Sequence, residues 1–196
     1  MQDHNSLIWL DGQWLPASEA KVSVLTHTLH YGYGCFEGIR AYETAAGPAL
    51  FRLPEHLRRL EDSARILAID MPFDRSTLTE ACREVVARNG LNSAYVRPLV
   101  FLGDEKLGVD PAGAKTHVMV AAWPWGTYLG GAALQTGIRV RVSSYARHHP
   151  NVQMCRAKAI STYEDRQKAE ARAKVEALAR DLGYSLAELV STDTRS

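Results

Sequence analysis

The sequence is short of cysteine, with Cys35, Cys82 and Cys155 the only three in 196 residues. An odd number at such wide spacing builds neither a disulfide framework nor a zinc module, and it fits a reducing compartment. Charge of one sign is also lacking: Lys+Arg 23 against Asp+Glu 22 leaves a net charge of +1. That removes the electrostatic case for nucleic acid or for a membrane surface. No apolar run approaches the roughly 18 residues that would span a bilayer. The N-terminus, Met1-Gln-Asp-His-Asn-Ser, has no basic region leading into an apolar stretch, so the expected location is the cytoplasm. No G-x-S-x-G elbow is present. His27 and His30, or His148 and His149, stand without Cys or acidic residues at ligand spacing, and no metal site is expected. Gly32-Tyr-Gly34-Cys-Phe-Glu37-Gly38 is only superficially like a dinucleotide loop, because its third glycine falls one place late.

What is present is 46% hydrophobic and 23% charged residues, ample for a sizeable core in one domain or two small ones. Asp11-Gly12 between Leu7-Ile-Trp-Leu and Gln13-Trp-Leu predicts an opening hairpin. A second strand pair is expected over Gly38–Tyr42 and Ala49–Leu53, joined through Ala45–Pro48. Pro54 then begins an amphipathic helix with Leu57, Leu60, Ala64 and Leu67 on its apolar face. A second helix over Ser76–Asn89 presents Leu78, Ala81, Cys82, Val85 and Val86 and stops at Gly90. Three apolar strands follow, Ala94–Leu102, Thr116–Trp123 and Ile138–Tyr145. The glycines of Trp125-Gly-Thr-Tyr-Leu-Gly-Gly131 mark a domain boundary, and after Tyr163 the chain turns charged and helix-forming.

Basic and aromatic residues gather at the strand ends and turns: Tyr31, Phe36, Arg40, Arg59, Tyr95, Arg97, Trp125, Tyr128, Lys158 and Tyr163. Taken singly, Arg59 reads as a solvated helix residue and Lys158 as a surface residue of a short loop. Arg97 stands out, because an unpaired guanidinium inside Ala94-Tyr-Val-Arg-Pro-Leu-Val-Phe is costly to bury. It calls for an anionic partner.

Five segments together resemble the branched-chain amino-acid aminotransferases, which are class IV, fold type IV, pyridoxal-phosphate enzymes. They are Tyr31-Gly-Tyr-Gly-Cys-Phe-Glu-Gly-Ile-Arg40, His56-Leu-Arg-Arg-Leu60, Ala94-Tyr-Val-Arg-Pro-Leu99, Trp123-Pro-Trp-Gly-Thr-Tyr-Leu-Gly130 and Ala157-Lys-Ala159. The resemblance is collinear from about Leu7 to Tyr163. It implies an α+β fold: a small N-terminal α/β domain over 1–124, an interdomain loop at 125–131 and the start of the cofactor-binding domain over 132–163. A helical tail, 164–196, does not match the family.

The resemblance makes Lys158 the residue that joins the cofactor aldehyde and then carries the proton between substrate and cofactor. A lysine can do both once its amine is neutral. Arg59 would grip the cofactor phosphate with its planar fork, and Tyr163 would hydrogen-bond the phenolic oxygen of the pyridine ring. The implied substrate pocket takes Tyr31, Phe36, Gly38, Arg40, Trp125 and Tyr128, with Val109 on a loop reaching in from a partner subunit. Arg97 and Tyr95 would meet the distal carboxylate of glutamate. The implied reaction is reversible amino transfer between Leu, Ile or Val and 2-oxoglutarate, in a homo-oligomer.

The sequence departs from the family after the lysine. Thr162 stands where the family has Asn, and Glu164-Asp-Arg-Gln-Lys-Ala-Glu replaces an apolar helix. No E-G-x-x-x-N setting follows for the acid that pairs with the pyridinium nitrogen, so a truncated chain with weak or no turnover is the expectation. The alternative is a non-catalytic remnant or an interaction module associating through the tail, which is weakly similar to oligomerisation segments of small bacterial nucleoid-associated proteins. A D-amino-acid transaminase or an aminodeoxychorismate lyase fits the Phe36-Glu-Gly-Ile-Arg40 segment less well.

Overall fold

A computed structural model describes residues 6–125, 136–137, 140, 142, 144 and 156–160. The chain opens with the expected hairpin, β1 (Leu7–Leu10) and β2 (Gln13–Pro16), turning through Asp11 and Gly12, both at positive φ. A short helix, α1 (His27–Tyr31), and a three-residue strand, β3 (Gly34–Phe36), come next. Strands β4 (Ile39–Thr44) and β5 (Gly47–Leu50) form the second hairpin. Its turn is tighter than expected, with Gly47 and Pro48 already in the strand. Leu53 opens the following helix instead of closing β5.

Helix α2 (Leu53–Ile66) has Pro54 in its first turn, and Leu57, Leu60 and Ala64 are wholly buried. Helix α3 (Arg75–Arg88) starts where the Asp74 side chain accepts the Thr77 amide, and all five of its expected apolar residues are buried. Two nine-residue strands follow, β6 (Ala94–Leu102) and β7 (Thr116–Pro124). Of the strand expected over Ile138–Tyr145, only Val140, Val142 and Ser144 are described; none is in a strand, and both valines are exposed. Cys155, Tyr128, Tyr163 and the tail lie outside the described residues.

The strands form one antiparallel sheet in the order β2-β1-β7-β6-β4-β5, with β3 also on β6. Strands β3 and β4 share one edge of β6: Phe36 stands opposite Leu99, and Ile39 opposite Val96. Between them the ladder breaks at Glu37 and Gly38, and the Glu37 amide donates to Pro98 O at 2.9 Å.

Helices α2 and α3 cover one face of this sheet. Cys35, Ile39, Ala41, Val96, Val100, Val118, Val120 and Ala122 point into that core and are almost fully buried. By the two-residue period of a strand, Phe36, Arg40, Tyr95, Arg97 and Trp123 point to the other face. Among the described residues no helix is long and apolar enough to cross a membrane.

Candidate active site

The lysine segment joins the sheet beside β3. Ala159 bridges Cys35 in antiparallel fashion, the Phe36 amide donates to Lys158 O at 3.1 Å, and the Ile160 amide donates to Gly34 O at 2.9 Å. Gly34 permits this approach, since a β-carbon there would lie 2.8 Å from Ile160 Cδ1 and 2.6 Å from Val100 O. On its other side the segment is held by α2, where the buried Ser63 hydroxyl accepts the Lys158 amide at 2.9 Å. The backbone of Lys158 is thus fixed by both the sheet and the helix. Its side chain reaches to the sheet face opposite α2 and α3, with Nζ 4.5 Å from the centroid of the Phe36 ring.

Arg97 meets the same ring, its guanidinium carbon also 4.5 Å from the centroid. The two cations are therefore no more than twice that distance apart, on a shared aromatic platform. Arg97 also lies over Tyr95 and Trp123, and its Nη2 donates to Tyr95 Oη at 2.9 Å. Its buried Nε has no hydrogen-bond partner among the described residues. The anion that the sequence calls for is thus not supplied by a described side chain; aromatic faces and one hydroxyl stand in its place.

Tyr95 packs against both Trp123, at 4.9 Å, and Trp125, at 5.2 Å, ring centroid to ring centroid, and the two indoles are 6.4 Å apart. Arg40 lies across the strand pair from Tyr95, over the Tyr42 ring and 3.5 Å from Trp125 O. Gly38 completes this wall by lacking a side chain: a β-carbon there would overlap the Tyr95 hydroxyl. The structure therefore brings Phe36, Gly38, Arg40, Tyr95, Arg97, Trp125 and Lys158 to one face. Trp123, which the sequence analysis did not single out, joins them through strict alternation from Ala121.

Arg59 sits on α2 and is held by a residue that the sequence analysis passed over. Its Nε and Nη2 donate to the two carboxylate oxygens of Glu37, at 2.5 and 2.7 Å, and His56 Nδ1 lies 2.8 Å from Glu37 Oε2. Glu37 is fully buried while the Arg59 side chain is 53% exposed. Burial pushes the Glu37 carboxyl up, but hydrogen bonds from Arg59 and His56, with the charge beside them, outweigh this and hold its pKa below the ordinary value. The same hydrogen bonds raise the pKa of Arg59. The free side of Arg59 lines an open cleft of about 400 Å³ with Asp62, Arg65, Ile66 and Arg156. The signal for Glu37 in the sequence was the spacing of His56 and Arg59, which share one helix face.

Tyr31 and Val109 stand apart from this cluster. Tyr31 packs on His27, at 4.7 Å between centroids, and Val109 is 86% exposed on the loop that follows β6. His27 Nε2 lies 2.8 Å from Gly108 O and ties that loop to α1. Cys35 and Cys82 are buried, which pushes both thiols up to about 12, so neither is a nucleophile. No group of three or more His, Cys, Asp or Glu residues that could hold a metal occurs among the described residues.

The family model for class IV amino-transferases matches residues 34–182. A branched-chain-amino-acid aminotransferase of Pseudomonas aeruginosa is 51% identical over 163 residues, 83% of this chain and 53% of the relative. The solved Escherichia coli branched-chain amino acid aminotransferase superposes with a TM-score of 0.78 at 48% identity, covering 81% of this chain and 53% of that one. The branched-chain amino acid aminotransferase of T.th., solved with pyridoxamine 5′-phosphate, gives a TM-score of 0.78 at 49% identity over 92% of this chain and 58% of its own. The chain spans about half the length of the curated relatives it matches.

Proposed function

The chain belongs to the class IV aminotransferases, and on that premise we propose that it carries the lysine and the substrate-facing wall of a branched-chain amino-acid transaminase. The substrates would be Leu, Ile or Val and 2-oxoglutarate, with glutamate as the second amino donor. One observation carries this reading: Lys158 Nζ and the Arg97 guanidinium share the Phe36 ring on the sheet face opposite α2 and α3. A primary amine beside a guanidinium with an unsatisfied donor suits a substrate that brings a carbonyl and an anion together.

The residues also fit pyridoxal phosphate. Arg59, half exposed, lines a cleft with Arg156 and with the Arg65–Asp62 pair, and two arginines beyond that pair are the chemistry a phosphate dianion needs. Bound there, the cofactor would supply the aldehyde and the electron sink of transamination. Lys158 would act as the base that takes the proton from the substrate Cα and returns it to the product side. Its backbone, clamped between Ser63 and Phe36, limits the arc over which the amine can swing.

Phe36, Tyr95, Trp123 and Trp125 make an apolar wall suited to an aliphatic side chain. Arg97 would serve the distal carboxylate of glutamate when that side chain replaces an aliphatic one. Tyr163 and Tyr128 keep their proposed roles at the pyridine ring and the pocket wall. Tyr31 and Val109, exposed and linked through His27, would face the pocket of a second copy in a homo-oligomer. We place the domain limits at 1–124 and 132–163 on either side of the 125–131 loop.

The test is a pair of half-reactions, with leucine and with glutamate, followed by the change in cofactor absorbance. Conversion with both amino acids supports the reading. Because the chain spans about half of its relatives, conversion is expected to be slow; a chain that binds the cofactor and converts neither amino acid even in a prolonged single half-reaction overturns the reading in favour of a non-catalytic module.

A further inference from the structure

We infer that Glu37 is a positioning residue: with His56 it fixes the plane of Arg59 so that the outer edge of that guanidinium is ready for a phosphate dianion. The inference rests on the reading that Arg59 holds the cofactor phosphate.

Glu37 occupies the break between β3 and β4, where the chain leaves the edge of β6 and its side chain turns under α2. Its carboxylate is completely buried, and both oxygens are occupied from one helix face, by Arg59 at two points and by His56 at a third. A buried ion pair of this kind contributes little net stability compared with a well-packed apolar pair. Its pH-dependent contribution to stability therefore does not by itself account for an ion pair, one partner buried and the other 53% exposed, at this place. What the fork does is remove freedom from Arg59, whose side chain is half exposed and would otherwise sample many rotamers.

Two donors of the guanidinium, on Nε and Nη2, are taken by Glu37, and Arg59 also lines the cleft with Asp62, Arg65 and Arg156. Arg65 is itself paired with Asp62, at 2.9 Å. An anion entering the cleft thus meets one arginine whose plane is already set, and the ordering cost has been met in the folding of the protein. The carboxylate lowers the net charge of the site, so the gain is in geometry and not in potential. A neutral residue at 37 would leave Arg59 with its full charge and lose the fixed plane.

The experiment compares equilibrium binding of pyridoxal 5′-phosphate and of pyridoxal to the full chain, read by absorbance and tryptophan fluorescence. The change in the ratio of the two affinities between variants isolates the phosphate, because the internal hemiacetal that lowers the reactivity of free pyridoxal is the same for every variant. Glu37→Gln is expected to lower that ratio by about tenfold or more while pyridoxal binding stays unchanged. His56→Asn, which leaves the buried charge in place, is expected to lower it by about threefold and decides the matter alone if Glu37→Gln does not fold by circular dichroism. Unchanged ratios, or an equal fall for both aldehydes, overturn the inference and make Glu37 merely structural. Arg59→Ala separates the two levels. If it loses the ratio while the Glu37 and His56 variants keep it, the reading of Arg59 stands and this inference falls. If Arg59→Ala keeps the wild-type ratio, or the wild type itself binds both aldehydes equally, both fall.

Discussion

Gly38 and Tyr95 face one space that only one of them can fill. A β-carbon on Gly38 would lie 2.7 Å from Tyr95 Cζ and closer still to the hydroxyl. The ring cannot easily move aside, because Trp123 and Trp125 pack against it and its hydroxyl holds Arg97. The glycine is required here by close approach and not by backbone freedom.

Gly38→Ala is therefore expected to cost about 1–3 kcal/mol of stability, the usual cost of overpacking. In a Tyr95→Ala background the same substitution should cost much less. Urea titrations of the four proteins of this cycle would measure the coupling, and simple additivity would show that the ring yields freely.

Arg97→Ala should weaken reaction with glutamate far more than with leucine. Of the two, only glutamate brings a second carboxylate to the face where the Arg97 Nε has no hydrogen-bond partner among the described residues. Loss of one charge-assisted hydrogen bond costs about 1.5–3 kcal/mol, roughly tenfold or more in kcat/KM for glutamate. Equal losses for the two amino acids would assign Arg97 to the α-carboxylate or to the fold.

Borohydride reduction in the presence of pyridoxal phosphate should leave its label on Lys158 and on no other lysine. Among the described lysines, Lys158 alone combines a backbone fixed by Ser63 and Phe36 with an amine on the aromatic platform. Lys106 instead binds Asp110 and Ala112 O at the surface. Peptide mapping by mass spectrometry reads the result, and a label on Lys106 or Lys115 would remove Lys158 from its role.

Acid should weaken the fold through Glu37. Its folded pKa is depressed by Arg59 and His56 against the effect of burial, so the stability it contributes is complete above its unfolded value of about 4.3. That contribution is lost as pH falls from there through the folded value. Urea midpoints taken between about pH 6 and pH 3 should fall less steeply for Glu37→Gln than for the wild type. Parallel slopes would mean that the pair is already disrupted in solution.

The sequence by itself determined the elements whose pattern is local. The Asp11-Gly12 hairpin, the two amphipathic helices and both long strands follow from turn chemistry and from apolar periods of 2 and 3.6 residues, and they stand within one or two residues of where those patterns place them. The chemistry of Arg97 was legible too, since a guanidinium in an apolar strand demands an explanation. Only the tertiary structure decided what lies across a strand or a helix. Strand β3 and helix α1 are too short to carry a period of their own, and β3 exists because β6 and the lysine segment pair with it. Glu37 looked like one residue of a glycine-rich turn until α2 came down on it with His56 and Arg59. Trp123 became part of the wall only once β7 paired with β6. Side-chain alternation sets a face, but which residues share that face depends on register between strands far apart in the chain, and register is fixed by burial of the opposite side.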